Sequence, residues 1–155
     1  MKYKKITREE LDQFLHKHKL WLENKEGGER LFLSGYDLIG SNLIGSDLSG
    51  SNLIGSDLSW SNLRGSDLSG SNLRGSNLIG SDLDFSCLPL WCGSLSANFD
   101  DRQLAQIAYH LVKAGLQSNN ASVETKAELA KIIDFANKFH RVDECGKIEI
   151  RSEGK

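Results

Sequence analysis

Four residues of this chain carry soft metal-binding atoms at matched intervals, Cys87-x4-Cys92 and His140-x4-Cys145. Thiolates and imidazoles of this kind hold tetrahedral zinc. Structural zinc knuckles use closer cysteine pairs, however, and the periodic segment described below sets Cys87 and Cys92 on adjacent outer walls, too far apart to share an ion. His110 with Asp100, Asp101 or Glu144 has the side chains of an acid–base set, but no spacing obliges them to meet. The expectation is a chain with no catalytic residue, no metal and no cofactor. Three cysteines build no even disulfide framework and suit a reducing compartment.

The remaining chemistry is that of contact. Trp60 stands where neighbouring repeats have glycine, and Arg64 follows closely enough to form a Trp/Arg patch. Ile39, Ile44, Ile54 and Ile79 share one recurring outward position that elsewhere is Ser49, Ser59 or Ser69. Tryptophan and arginine are enriched at binding hot spots, and a large exposed apolar patch marks a contact surface. These residues are therefore expected to be covered, by the chain's own helices or by a partner. Ser59, on the outside, is expected to tolerate an added charge.

What must position these side chains is a five-residue beat. Leu38, Leu43, Leu48, Leu53, Leu58, Leu63, Leu68, Leu73, Leu78 and Leu83 follow one another at intervals of five. On an α-helix that step rotates each leucine by about 140°, which leaves no buried stripe. In a straight strand an odd step sends successive leucines to opposite faces. One core can collect them all only if the chain bends once per repeat and winds into a coil. The serine two residues before each leucine then faces inward with it, the intervening Asp or Asn faces out, and two residues make the corner. Glycine at positions 35, 40, 45, 50, 55, 65, 70, 75 and 80 suits corners that need a positive φ.

Ten consecutive units of Ser or Tyr, Asp or Asn, Leu, x, x resemble the pentapeptide-repeat proteins. The resemblance spans roughly residues 31–92 and implies an all-β solenoid, a right-handed quadrilateral parallel β-helix with four pentapeptides per coil and about three coils. Outside it, His18-Lys19-Leu20-Trp21-Leu22, Gly27-Gly28-Glu29-Arg30 and Phe139-His140-Arg141-Val142-Asp143-Glu144-Cys145-Gly146 resemble pentapeptide proteins of phages and Gram-positive bacteria. Together these resemblances imply a non-catalytic structural or protein-interaction module, an accessory protein of a phage or mobile element. The alternative is a DNA-mimicking modulator of a type II topoisomerase (gyrase), because some members of the family act that way. Residues 31–88 carry 2 basic and 6 acidic groups, and a 20-residue coil would stack Asp37 near Asp57 and Asp47 near Asp67. Arg64, Arg74 and the short coil weaken that reading.

Three segments result: residues 1–30 as an N-terminal helical cap, 31–92 as the coil, and 93–155 as a C-terminal helical hairpin with a short tail. Thr7 with Glu10 forms a capping box ahead of Leu11, Phe14 and Leu15, and Trp91 can plug the far end. Asp100 or Asp101 caps a helix carrying Leu104, Ile107, Ala108, Leu111 and Val112. Thr125 with Glu128 opens a second helix carrying Leu129, Ile132, Ile133, Ala136 and Phe139. Lys147 to Arg151 alternates like a strand. The flanks hold more amphipathic helix than two end plugs need, so a homodimer is expected, burying Ile132, Phe135, Phe139 and the Ile148/Ile150 strand against their copies. A net charge of −2 gives no bulk attraction to nucleic acid or an anionic membrane. With neither a signal peptide nor a bilayer-spanning run, the expected location is cytoplasmic, and the protein partner is unidentified.

Overall fold

The computed structural model describes residues 2–88 and 96–149. Its chain forms two compact units, Met1–Phe99 and Asp100–Lys155. In the first, parallel β-bridges join residues twenty apart: Phe32 to Asn52, Asp37 to Asp57, Asn42 to Asn62, Asp47 to Asp67, and so on to Asp67 with Cys87. Twenty residues are four five-residue units, so each circuit has four walls and four corners. Every wall is one bridge wide, too short to count as a strand, because the chain turns again two residues later.

Each repeat pairs most of its backbone polar groups with the neighbouring circuit or within its own corner. The Leu38 N–H donates to the Asp57 carbonyl (2.8 Å), and the Asp57 N–H donates to the Tyr36 carbonyl (2.9 Å). At the corner, the Gly40 N–H reaches the Ser59 carbonyl (3.0 Å), and the Ser41 N–H closes a turn on the Leu38 carbonyl (3.0 Å). The third residue of that turn has a positive φ, met by glycine at all nine corner glycines and, at the same position, by Trp60 (φ 59°) and Phe85 (φ 61°).

The leucines fill the inside. Leu38 through Leu78 are at most 2% exposed and Leu83 is 5% exposed, and they form one cluster with Leu31 and Leu33. Of the buried inward serines, Ser56, Ser76 and Ser81 return their hydroxyls to the carbonyl three residues earlier, at 2.6–2.8 Å, whereas the hydroxyls of Ser51, Ser61 and Ser66 make no such bond.

Helix α1 (Arg8–Leu22) begins on the Thr7/Glu10 capping box. Its buried Leu11, together with Ile6, Phe14 and Leu15, packs on the leucine cluster as a lid. Ahead of it, Lys4 pairs with Tyr36 and so adds a bridge to the first circuit. The return from α1 is tight: a Cβ on Gly28 would lie 2.4 Å from the Trp21 nitrogen. That approach brings the Leu31 N–H onto Nδ1 of the fully buried His18 (3.1 Å). At the far end, Asn98 bridges Asn77, so the chain rejoins the coil before the first unit ends. Trp91 and Cys92 lie outside the described residues.

The second unit contains α2 (Asp101–Gln117), α3 (Val123–Ala130), α4 (Ile133–Ala136) and α5 (Val142–Cys145). Asp100 caps α2, accepting from the Gln103 N–H (3.0 Å) while the Gln103 side chain reaches back. Two expectations need correction here. The cap of α3 is Ser122, accepting from the Thr125 N–H (3.1 Å), so the helix starts earlier than Thr125. The run to Phe139 is also not one helix: it stops at Ala130 and restarts at Ile133. The extended end near Ile148 is held by a side chain rather than by a neighbouring strand. Asn137 accepts from the Ile148 N–H (2.9 Å) and donates to its carbonyl (3.0 Å). Ile150 and Arg151 lie outside the described residues.

Candidate interaction surface

The outward Asp/Asn of each repeat has a local duty. Oδ1 of Asp37, Asn42, Asp47, Asp57, Asn62, Asp67, Asn72 and Asp82 accepts the backbone N–H two residues on, at 2.8–3.2 Å. Both residue types offer that acceptor, which is why they alternate freely in the sequence. Lys5 pairs with Asp37, and that contact, with the Ile39 N–H, holds the Asp37 carboxyl below the usual carboxylate range. Ser59 departs from expectation: it is only 8% exposed, and its hydroxyl donates to Asp57 (2.6 Å). An acid there would set two carboxylates against each other.

The groups with catalytic or ligating chemistry are scattered. His110 is exposed and stands edge-on to Tyr109 and Phe139, while Asp100 is spent on the α2 cap. His140 meets Arg102 (3.2 Å). Cys87 and Cys145 are exposed free thiols. Among the described residues no group of three or more His, Cys, Asp or Glu is placed to hold a metal ion, and no helix is long and apolar enough to cross a membrane. In the second unit, an open groove of about 930 Å³ is lined by Lys113, Lys126 and Lys147 over Leu116, Val123 and Ile148.

Apart from Phe32, which is 62% exposed on the wall it shares with Asn52, the apolar surface of the coil is gathered on one side. Between residues 33 and 88 the exposed large hydrophobic side chains are Ile39, Ile44, Trp60, Ile79 and Phe85. All five sit on the two corners that border one wall, whose outward strip is Asn42, Asn62 and Asp82. Ile39, Trp60 and Ile79 follow one edge; Ile44, Arg64 and Phe85 follow the other. Ile54, on a different corner, is half-buried. The Trp60 indole lies flat over Gly80, where an added Cβ would meet the ring at 2.7 Å, yet the residue is 71% exposed. Arg64 reaches Asp84 (3.5 Å) and stacks 4.7 Å from the Phe85 ring. Phe85 escaped the sequence reading, although the five-residue register places it at a corner normally held by glycine.

The residues expected at a pairing surface of the helical end are split by the fold. Phe139 (3% exposed) and Ile148 (8%) are buried in the second unit's own core with Tyr109, Val112 and Ala136. Phe135 is half-buried and packs on that core, and Ile132 is exposed.

A twenty-residue circuit of leucine-centred units, closed by positive-φ corners and Asp/Asn bonds, defines a pentapeptide β-solenoid. The model of pentapeptide repeats matches residues 33–70 and 56–89, in 8 copies, so this segment is a run of pentapeptide repeats, the sequence type whose proteins form right-handed β-helices. Among solved structures, it is similar to HetL, a pentapeptide repeat protein involved in heterocyst differentiation regulation in the cyanobacterium Nostoc sp. strain PCC 7120. Identity there is 35% over 37% of this chain and 27% of HetL, with a TM-score of 0.36. Rfr23 of the cyanobacterium Cyanothece 51142 is 32% identical over 44% of this chain and 40% of its own, with a TM-score of 0.24. QnrB1, a plasmid-mediated fluoroquinolone resistance protein, is 20% identical over 52% of this chain and 42% of its own, with a TM-score of 0.28. The chain thus spans less than half the length of each. No curated protein matches it.

Proposed function

We propose that this chain is a non-catalytic protein-interaction module whose binding surface is the wall bordered by Trp60 and Arg64. One observation carries the reading: of the six exposed large hydrophobic side chains described in the coil, five border that wall, Phe32 being the exception. The polar groups around it are meanwhile occupied in holding the corners. The reading takes the solenoid as right-handed with about three coils, a rigid scaffold that keeps such a surface in place. A role as an accessory protein of a phage or mobile element rests on the resemblance of the flanks alone. Affinity capture from the source cell with the wild type and with Trp60→Gly tests the surface. A partner lost with Trp60→Gly supports it, and a partner retained equally by both removes it.

A second reading, DNA-like modulation of a type II topoisomerase, is favoured by the bridged acidic pairs Asp37/Asp57 and Asp47/Asp67. Against it, Asp57 is only 7% exposed and Asp37 is paired with Lys5, so of the two pairs only Asp47/Asp67 displays its charge, too few carboxylates to make a phosphate-like row. A gyrase supercoiling assay decides the matter. Unchanged supercoiling at high molar excess of this protein eliminates the second reading.

A further inference from the structure

The strongest departure from the repeat lies at two corners. A side chain in the left-handed region costs about 1–2 kcal/mol relative to glycine, and exposing an aromatic ring adds to the cost. Trp60 and Phe85 are the two positive-φ residues of the coil that are not glycine, both are exposed, and they stand on opposite edges of the same wall. Such local strain is retained where it serves recognition.

We propose that the occupant of this wall is a second copy of the chain, paired face to face about a twofold axis parallel to the coil. That operation exchanges the two edges of the wall at constant height. Edge residues of this chain then meet complementary residues at each level: Ile39 meets the partner's Ile44, Trp60 meets the partner's Arg64, and Ile79 meets the partner's Phe85. Apolar meets apolar, and Arg64, the cation of the middle level, meets the best cation–π acceptor, while at the first level Arg8 is already bonded to the Asn42 carbonyl (2.8 Å). Along the middle strip, Asn42 and Asn62 meet their own copies, and an amide both donates and accepts. The other in-plane twofold, perpendicular to the coil, would return each edge to itself and set Arg64 against Arg64. One repulsion remains in the favoured arrangement, where Asp82 faces Asp82.

The size of the wall sets the strength. Three residues span about 10 Å and three levels at about 4.8 Å complete the height. This is below the ~800 Å² per partner of a standard interface, so the pairing is a concentration-dependent equilibrium. It deepens the reading of this wall as a binding surface, and its test is separate: a monomer that still loses a captured partner with Trp60→Gly overturns the pairing alone.

The experiment is sedimentation velocity of the full chain across micromolar to millimolar concentration. Mass should rise towards twice the 17.2 kDa of one chain. Trp60→Gly and Ile44→Ser restore residues that other repeats use at those positions, so the fold is kept. Each should weaken pairing by roughly tenfold or more. Asp82→Asn keeps the corner acceptor and removes the repulsion, so it should tighten pairing by roughly threefold. A monomer at every concentration overturns the proposal. So does a dimer that ignores Trp60→Gly and Asp82→Asn but dissociates with Ile132→Ser, since that places the contact on the helical unit.

Discussion

At the residue scale, this fold asks for atoms rather than for side-chain identities. The outward Asp or Asn supplies one acceptor to the corner, so Asp67→Asn should leave the melting temperature within experimental error. Asp67→Leu loses the bond to the Ser69 N–H (2.8 Å) and should cost about 1 kcal/mol in a denaturant titration. The inward leucines have no such latitude. Leu58, fully buried at the middle of the stack, should lose about 2–5 kcal/mol on truncation to Ala, and an aspartate there should unfold the coil by burying an unpaired charge. Ser59→Asp, beside Leu58, should also destabilise, because it replaces a donor to Asp57 with a second carboxylate. A melt in which Ser59→Asp equals the wild type would overturn that account.

At the element scale, α1 is a lid whose seat contains a buried imidazole. His18 accepts the Leu31 N–H on Nδ1 and stacks on Trp21 at 5.4 Å. Burial lowers its pKa; Asp47 and the Ser49 backbone work in the opposite direction, and Arg30 adds to the lowering. The unfolded chain therefore binds the proton more readily than the folded one. Above the ordinary histidine value of about 6.5 both states are neutral and the seat keeps its full stability. Below that, stability falls with pH until the folded imidazole itself titrates. His18→Asn, which retains an acceptor for Leu31, should flatten this part of the stability–pH curve relative to the wild type. Identical slopes would remove His18 from the account. In the second unit, residues beyond α4 close the core. Phe139 and Ile148 turn into the core with Tyr109, and Asn137 clamps the Ile148 backbone.

At the scale of the whole molecule, two units carry separate apolar cores. Phe139→Ala should therefore cost about 3–5 kcal/mol in the second unit. Hydrogen exchange is the measurement: α2 amides should lose protection while amides of residues 36–88 retain theirs. Equal loss in both sets would show that the two cores unfold as one. Of the residues expected to pair at the helical end, Phe139 and Ile148 belong to the second unit's own core, whereas Ile132 is exposed, as are Leu104, Leu111 and Val123.

The sequence by itself determined the solenoid, because a five-residue period has no solution in a helix or a straight strand and because leucine, serine and glycine each fit one position of a bent repeat. It also disclosed Trp60 as an exception, since a corner that requires positive φ makes any other residue conspicuous. Only the tertiary structure decided which exceptions share a surface. Residues twenty apart become neighbours through the circuit, so Ile39, Trp60 and Ile79 align along one edge, and Ile44, Arg64 and Phe85 along the other, although no local pattern joins them. The structure likewise decided that Phe139 faces inward. A helical stripe is apolar whether it covers its own core or a partner's, and only the arrangement of α2, α4 and the end near Ile148 selects between the two.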